Sequence, residues 1–458
     1  MLLGKRQALL WSLLLGAGRV AAEPRAPDGD YYELWVQSET HAELFGRALL
    51  PGPNGALVSS DTVAPLYQYV RLRARDLDTS WRQDSLDVEL SLWGRFWIGE
   101  REYESTLDGD VQVANVGYRH GAALLRIGRQ QVVGGAARYS RFDGARAGFE
   151  LGAGLHAEAY AGLTVLPRWD SRHHYAYLGA AADSDLRGQG AVTERDRVDN
   201  ALAGARLEGH WGDFQSAVSF QEQRDAGGLG RRSFGLDTRG RVTRRADVGG
   251  NAVLEIDARR FSDARVWTDV RATEQLDVSL EYLHTEPALF LSRQSVLSVF
   301  SSDAYDELGG TLSARATSRM SLDGGGFVQR YEEDELGARG EVTARWLLEQ
   351  SRRTLVRFTY TRVQAPDNGY HSLRSSLARE LLPKLRGTGE VYTYFYDEAI
   401  RGYRTSSVFA GTLSFKPSEP LEFLCGASVV RSAYAELDAQ ALVQLRGDFD
   451  LSRHGGPP

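Results

Sequence analysis

The chain has 458 residues, one cysteine, 42% hydrophobic residues and a mean hydropathy of -0.36. A single cysteine excludes a disulfide scaffold and Cys-based metal sites, and the negative mean hydropathy argues against a bundle of membrane helices. The formal net charge of -7 is a poor basis for nucleic-acid binding. We therefore expect no nucleic-acid partner, no metal and no cofactor.

Residues 1–22 predict a cleaved secretory signal. Two basic residues precede a short apolar segment, residues 8–18, and small residues around Ala22 form a cleavage site. The alternative, an N-terminal membrane anchor, is disfavoured because the apolar segment is too short to span a bilayer readily. We expect cleavage near Ala22 and a mature domain over residues 23–458.

Beyond the signal, hydrophobic and polar residues alternate along nearly the whole chain. In residues 84–97, Leu86, Val88, Leu90 and Leu92 fall on one side, whereas Asp87, Glu89 and Arg95 fall on the other. The same pattern recurs at 66–76, 154–163, 249–260, 305–317, 336–347 and 436–449. Because side chains alternate along a strand, each segment predicts a strand with one apolar face and one largely charged face.

Short and long connections between these segments alternate. Short ones are predicted near 119–121, 152–154, 210–213, 273–275, 317–319, 382–384 and 416–420. Long ones are predicted near 131–143, 164–200, 286–304, 363–370 and 397–404. This arrangement predicts an antiparallel meander with no second domain. We recognise 22 candidate strands and expect a barrel of about 18–22 strands.

Strands of ten or more residues are long enough to cross a bilayer at a tilt. In lipid every backbone donor and acceptor must be paired, and strands achieve this only as a closed barrel. The sequence therefore predicts an all-β fold, a single large antiparallel transmembrane β-barrel with short periplasmic turns and long extracellular loops. The alternative, a secreted all-β solenoid or propeller, lacks the fixed repeat that it requires.

The signal, the meander and the alternation together resemble a Gram-negative outer-membrane β-barrel of the porin type. The stretch Arg126-Ile127-Gly128-Arg129-Gln130, continuing through Gly134-Gly135 and Arg138 to Asp143-Gly144, resembles a stretch of alginate-export-type barrels. The resemblance implies the outer membrane as location, with lipid, lipopolysaccharide and the barrel-assembly machinery as partners. Such barrels usually end on an aromatic residue, whereas here residues 450–458 follow Phe449.

A barrel of this size leaves an aqueous lumen. Only about eight residues separate the cleavage site from Tyr31, so we expect no plug and a lumen narrowed by loops. The leading hypothesis is a porin-like channel for hydrophilic solutes. The alternatives are a conduit for polysaccharide secretion, with a periplasmic export component as partner, and a structural barrel that anchors an envelope or surface complex.

An enzyme is not expected from the sequence. A barrel hydrolase needs a serine within hydrogen-bond reach of an oriented histidine. His371 and Ser372 are adjacent, so on a strand they point to opposite faces.

The charged faces of the strands are expected to line the lumen. The predicted pore-lining residues are Arg71, Arg73, Arg75, Asp87, Glu89, Arg95, Arg126, Glu158, Glu255, Asp257, Arg315, Arg339 and Arg345. Mixed signs predict mutual pairing and weak charge selectivity. The run Arg71, Arg73 and Arg75 either forms a basic ladder for anionic solutes such as uronate sugars or pairs with Asp87 and Glu89.

The segment 131–143 is the candidate constriction loop, either folded inward or lying on the surface. Its charged candidates are Arg129, Arg138, Arg141 and Asp143. The longer segment 164–200 is either a lid or partner surface or, as we favour, a solvated outer loop.

Tyr392, Tyr394 and Tyr396 share one face of a predicted strand. Facing inward they would form a stacking track for sugar rings. Facing outward they would join the interfacial aromatic belt, which is favoured because the row lies toward the end of its strand.

Overall fold

The computed structural model describes residues 32–49, 59–78, 84–99, 107–165, 201–225, 228–286, 304–331, 335–365, 368–400, 402–431 and 438–452. This part of the chain forms 22 β-strands and one 3₁₀ turn, Gly135–Ala137. No helix in these ranges is long and apolar enough to cross a membrane.

The strands follow one another along the chain and are numbered in that order. They are β1 Glu33–Leu49, β2 Ser59–Asp78, β3 Asp84–Gly99, β4 Leu107–His120, β5 Ala123–Gly134, β6 Arg138–Gly152, β7 Leu155–Thr164, β8 Ala201–Trp211, β9 Phe214–Asp225, β10 Gly228–Thr243, β11 Ala246–Glu255, β12 Arg260–Arg271, β13 Leu276–Thr285, β14 Tyr305–Thr317, β15 Met320–Tyr331, β16 Leu336–Glu349, β17 Thr354–Gln364, β18 Tyr370–Leu382, β19 Leu385–Ile400, β20 Tyr403–Ser418, β21 Leu421–Arg431 and β22 Asp438–Asp450.

The sheet closes on itself. Each strand pairs antiparallel with its neighbours in sequence, and β1 pairs both with β2 and with β22. The closing seam runs from Trp35 opposite Asp450 to Phe45 opposite Gln440. A sheet whose first and last strands pair has no free edge. The predicted fold, a single closed antiparallel barrel of about 18–22 strands, is confirmed, with 22 strands in the described residues.

The two faces of the sheet have opposite character. Large hydrophobic side chains are exposed on one face, among them Leu308 at 64% exposure and Val342. Polar side chains on the other face are covered, among them Glu307 at 3% and Thr343. This is the reverse of a soluble protein and fits a barrel whose outer face meets lipid and whose inner face meets water. We call these the outer face and the lumen face.

The two rims also differ, as the sequence predicts. The rim where β1 begins and β22 ends carries connections of two to five residues. The opposite rim carries the longer segments 164–200 and 286–304, which lie almost wholly outside the described residues.

Two connections predicted to be long are tight. Most of 131–143 continues β5 and β6, which are joined only by the 3₁₀ turn. Likewise β19 continues to Ile400 and β20 begins at Tyr403, with Gly402 at a positive φ of 85°. Glycine adopts that conformation without a steric penalty, and only two residues separate β19 from β20 where polar composition suggests a loop.

The two faces can be tested at adjacent positions in the middle of β14. Leu312→Arg places a charge on the outer face, whereas Thr311→Arg places it on the lumen face. We expect Leu312→Arg to lower the free energy of unfolding by about 2–4 kcal/mol, because a charge is costly near the bilayer midplane. Thr311→Arg should leave it within about 1 kcal/mol. The check is urea unfolding in lipid bilayers, and equal losses would refute the assignment of faces.

Candidate functional site: the barrel lumen

All but one of the predicted pore-lining residues lie on the lumen face of a strand. Arg71, Arg73 and Arg75 share that face of β2 and lie opposite Gln37, Trp35 and Glu33 of β1. The other members are Asp87, Glu89 and Arg95 on β3, Arg126 on β5, Glu158 on β7, Glu255 on β11, Arg315 on β14, and Arg339 and Arg345 on β16. Arg95 is only 3% exposed, so it lies within the wall rather than against open water.

Asp257 departs from the prediction. It lies in the turn 256–259 at the rim of the long connections, where it accepts a hydrogen bond of 2.5 Å from Arg232 Nη2. That guanidinium lowers the pKa of the Asp257 carboxyl. Alternation continues through residues 256–259 in the sequence although the strand ends at Glu255. Side-chain pattern alone does not mark where ladder hydrogen bonding stops.

The arginine run on β2 has acidic neighbours. Arg73 Nη2 lies 3.2 Å from Glu89 Oε1, and Arg126 of β5 lies 3.9 Å from both Asp87 and Glu89. Arg71 donates a hydrogen bond of 3.5 Å to Gln37. Of the two interpretations of this run, pairing with acids describes Arg73.

Ion pairs recur around the lumen. Arg339 of β16 makes a two-point pair with Glu307 of β14, at 2.7 and 2.6 Å, and covers the Phe327 ring at 3.9 Å. Arg345 lies 2.9 Å from Asp323. Further pairs join Arg146 to Glu158 and Arg231 to Glu255. Charges of opposite sign therefore neutralise one another along the wall.

The outer half of the β5–β6 hairpin leaves the barrel wall. Within the described residues, pairing of β4 with β5 ends at Ala114 opposite Arg129. Beyond that point, Ala136 N donates to Ser219 Oγ on β9 at 2.8 Å. Arg138 Nη2 donates to Ser262 Oγ on β12 at 2.5 Å. Since β9 and β12 lie three and six strands from β6, the hairpin crosses the lumen face.

The hairpin packs on the wall through an apolar cluster. Its members are Val132, Ala137 and Phe142 of the hairpin with Tyr160 of β7 and Leu202 of β8. Phe142 is fully buried, and its ring stacks on Tyr160 with centroids 5.6 Å apart. Burial of each large side chain contributes about 1.5–3 kcal/mol. The cluster therefore holds the hairpin flat against the wall.

The opposite side of the hairpin faces the interior of the lumen. Val133 and Tyr139 lie opposite each other on this side and are 70% and 52% exposed.

Two glycines permit the close approach of the hairpin to the wall. Gly135, at the turn, has a φ of 56°, and a side chain there would clash with Ser219. A side chain at Gly235 of β10 would clash with the backbone nitrogen of Ala136. Gly235 must lack a Cβ because the hairpin backbone lies against it, whereas Gly135 must lack one because of its positive φ and the Ser219 side chain beside it.

An ionic group, the base cluster, fixes the hairpin where it leaves the wall. It consists of Asp110, Arg129, Arg141 and Asp143. Arg141 Nη2 lies 3.0 Å from Asp110 Oδ2, and Arg129 Nη1 lies 3.4 Å from Asp110 Oδ1. Arg129 also makes a two-point pair with Asp143, at 2.7 and 2.8 Å.

The structure thus separates the four charged constriction candidates. Arg129, Arg141 and Asp143 come together in the base cluster, whereas Arg138 lies at the tip, paired with Asp263. Arg141 is buried, so it fastens the hairpin and offers no free charge to the lumen.

Sequence reasoning missed Asp110, the central acid of the base cluster. A β-bulge shifts the register between Ser91 and Leu92 and turns Asp110 toward the lumen, opposite Trp93. Counted by strict alternation from Val113, Asp110 would face lipid. A charged residue on a predicted apolar face was the available signal.

The tyrosine row faces the lumen, so the favoured assignment to the interfacial belt is wrong. Tyr392 lies opposite Arg374, Tyr394 opposite Ser372 and Tyr396 opposite Tyr370. Val391, just before the row, and Phe395, within it, have the opposite parity and are exposed on the outer face. The row has this orientation because β19 continues to Ile400 and keeps the face of Glu390.

The closed sheet, its exposed apolar belt and its polar lumen define a transmembrane β-barrel of the outer-membrane type. No family model matches the sequence, and the search of curated proteins found no similar chain.

Several solved barrels are similar in shape. The translocation pore of the P pilus usher PapC has 7% identity and a TM-score of 0.45, with 91% of this chain and 99% of that chain covered. Acinetobacter baumannii OccAB1 has 9% identity and a TM-score of 0.42, with 94% and 99% covered. A BenF-like porin from Pseudomonas fluorescens has 8% identity and a TM-score of 0.42, with 91% and 99% covered. At such low similarity, function has to be argued from the residues of this barrel.

The base cluster predicts a large effect of Asp110→Ala. Its removal leaves the buried Arg141 without its partner, which costs about 3–5 kcal/mol of unfolding free energy. The matched control is Asp247→Ala, because Asp247 pairs with Arg241 and both side chains are about half exposed. That change should cost at most about 1 kcal/mol.

Urea unfolding in bilayers measures both losses. Trypsin cleavage after Arg138 reports whether the hairpin stays docked, and it should become faster in Asp110→Ala alone. Equal stability and equal protection in the two variants would contradict the role of the base cluster.

Proposed function

We propose that this barrel is a porin-like channel that passes hydrophilic solutes across the outer membrane. The observation that carries the proposal is a closed 22-strand sheet with a polar, internally paired lumen face. With strands about 4.8 Å apart and tilted by about 40°, such a barrel is about 40–45 Å across between backbones. That width accommodates water and solutes beside the docked hairpin.

The hairpin is the constriction in this proposal. Its backbone reaches Gly235 of β10, and the Arg138 side chain extends the contact to Ser262 of β12, six strand spacings or about 29 Å from β6. Its apolar cluster and base cluster keep it docked, so it reduces the cross-section permanently. The side that borders the solute path carries the exposed Val133 and Tyr139.

Weak ion selectivity follows from the pairing of charges. Rings of one sign select ions, whereas neighbouring opposite charges cancel one another within a few ångströms. Arg339 with Glu307 and Arg345 with Asp323 are examples. Size, more than sign, therefore selects the solutes in this channel.

The other two functions predicted from the sequence have less support. The arginine run that favoured a polysaccharide conduit shares its surroundings with acids. The long segments that favoured an anchor lie almost wholly outside the described residues, as does the predicted cleavage site near Ala22. Lipopolysaccharide, the barrel-assembly machinery and a periplasmic export component remain predicted partners.

Channel activity is tested in planar bilayers. Purified, folded barrels should give discrete current steps in potassium chloride, with a reversal potential near zero in a salt gradient because the wall charges are paired. Folding is verified independently by heat-modifiable migration in electrophoresis. Folded barrels that insert yet carry no current would overturn the proposal.

The constriction is tested by deleting residues 131–143 and closing β5 on β6 with a short turn. We expect a higher single-channel conductance, because the deletion removes the part of the hairpin that lies on the lumen face and occupies part of the cross-section. The control is Asp257→Asn, a change at the same rim but outside the hairpin, which should leave the conductance unaltered. An unchanged conductance in the deletion variant refutes the constriction.

A further inference from the structure

The lumen contains a group of tyrosines, the tyrosine sector, formed by Tyr370 on β18 and Tyr392, Tyr394 and Tyr396 on β19. Tyr394 and Tyr396 are stacked, with centroids 6.1 Å apart and an interplanar angle of 3°. Tyr392 lies 4.4 Å from Tyr394, and Tyr370 meets Tyr394 edge-on at 5.3 Å. Tyr394 is 5% exposed at the centre, whereas the other three are partly exposed to the lumen.

The charges beside the tyrosine sector are satisfied. Arg374 and Glu390 form a two-point pair, with Nε–Oε1 at 2.8 Å and Nη2–Oε2 at 3.0 Å. The Arg374 guanidinium lies 5.8 Å from the Tyr392 ring centroid. A neutral solute therefore meets ring faces and a paired charge here.

The part of β20 and β21 beside Tyr392 and Tyr394 carries uncharged side chains. The lumen-facing residues of β20 beside the tyrosines are Ser406, Val408, Ala410 and Thr412, and those of β21 are Gly426, Ser428 and Val430. Ser406, Val408 and Val430 are covered, at 2–3% exposure, whereas Thr412 and Ser428 are more accessible and their hydroxyls offer hydrogen bonds. Tyr396 already donates one to Ser406, at 3.2 Å.

The lumen has a second aromatic group that differs in one respect. This group consists of His41, Tyr67, Tyr69 and Trp93. Their rings are only 0–6% exposed because they pack against one another. The tyrosine sector keeps partly exposed rings at Tyr370, Tyr392 and Tyr396, which packing alone does not require.

We propose that the tyrosine sector is a binding site for neutral carbohydrates on their way through the lumen. A sugar ring has one apolar face, which stacks on an aromatic ring, and a rim of hydroxyls, which the serines, threonines and the Arg374–Glu390 pair can bind. Tyr392 and Tyr396 supply the stacking faces, and Tyr394 supports both. This inference rests on the proposed channel function and adds a solute class to it.

The first experiment measures interruption of the ion current by maltohexaose, a neutral linear oligosaccharide. Tyr392→Ala and Tyr396→Ala should each weaken binding about 3- to 10-fold, because each removes one stacking face. Tyr392→Phe keeps the ring and should retain binding. The control, Tyr331→Ala, removes a lumen tyrosine outside the sector and should leave binding unchanged.

The second experiment measures maltohexaose binding to the detergent-solubilised barrel by calorimetry, so it needs no current. Loss of the binding heat in Tyr392→Ala, with retention in Tyr331→Ala, supports the site even if the barrel is silent in bilayers. A conducting barrel with neither block nor binding heat overturns the site and leaves the channel standing. Equal weakening by Tyr331→Ala, or tighter binding of an oligouronate than of maltohexaose, also overturns it.

Discussion

The backbone hydrogen bond is the interaction on which this structure depends. In the hydrocarbon of a bilayer an unpaired N–H or C=O costs several kcal/mol, and no water is present to replace a lost partner. The pairing of β1 with β22 removes the last free edge. Once the sheet is closed, the alternation of side chains determines the chemistry of both faces, because every second residue contacts lipid and the residues between them contact water.

Closure of the sheet also creates the lumen face, whose side chains differ from one region to the next. The lumen face carries ion pairs on much of its circumference, a docked hairpin that reaches from β6 to β12, and partly exposed tyrosine rings on β18 and β19 beside the Arg374–Glu390 pair. These three regions use different chemistry on the same scaffold. The hairpin reduces the cross-section, the paired charges keep the path hydrated without strong ion preference, and the tyrosines provide contacts for a neutral solute.

Much of this could be predicted from the sequence because alternation is a local property. It predicted the barrel, a strand number of about 18–22 and the faces of residues such as Arg73 and Arg339. It did not predict Asp110, since a bulge changes the face of a residue without changing composition. It placed Asp257 on a strand because strand ends are set by backbone pairing.

The docking of the hairpin could not be predicted from the local sequence pattern, because it depends on contacts between residues that are distant in the chain. Arg138 meets Ser262, which is 124 positions away in the chain, and only the closed barrel brings the two together. The tyrosine row was misjudged for a smaller reason, because the strand is longer than composition suggests and the row lies inside it.

The pair between Arg339 and Glu307 has a consequence for how the barrel is assembled. It joins β16 to β14 across the intervening β15, so it depends on the alignment of three strands at once. A slip of two residues would preserve both the backbone hydrogen bonds and the separation of faces, so neither of these can detect it. Such a slip would shift the two charges by about 7 Å and separate them. Ion pairs that bridge a strand thus favour the correct register over a two-residue slip, which costs nothing in backbone hydrogen bonds or in contact with lipid.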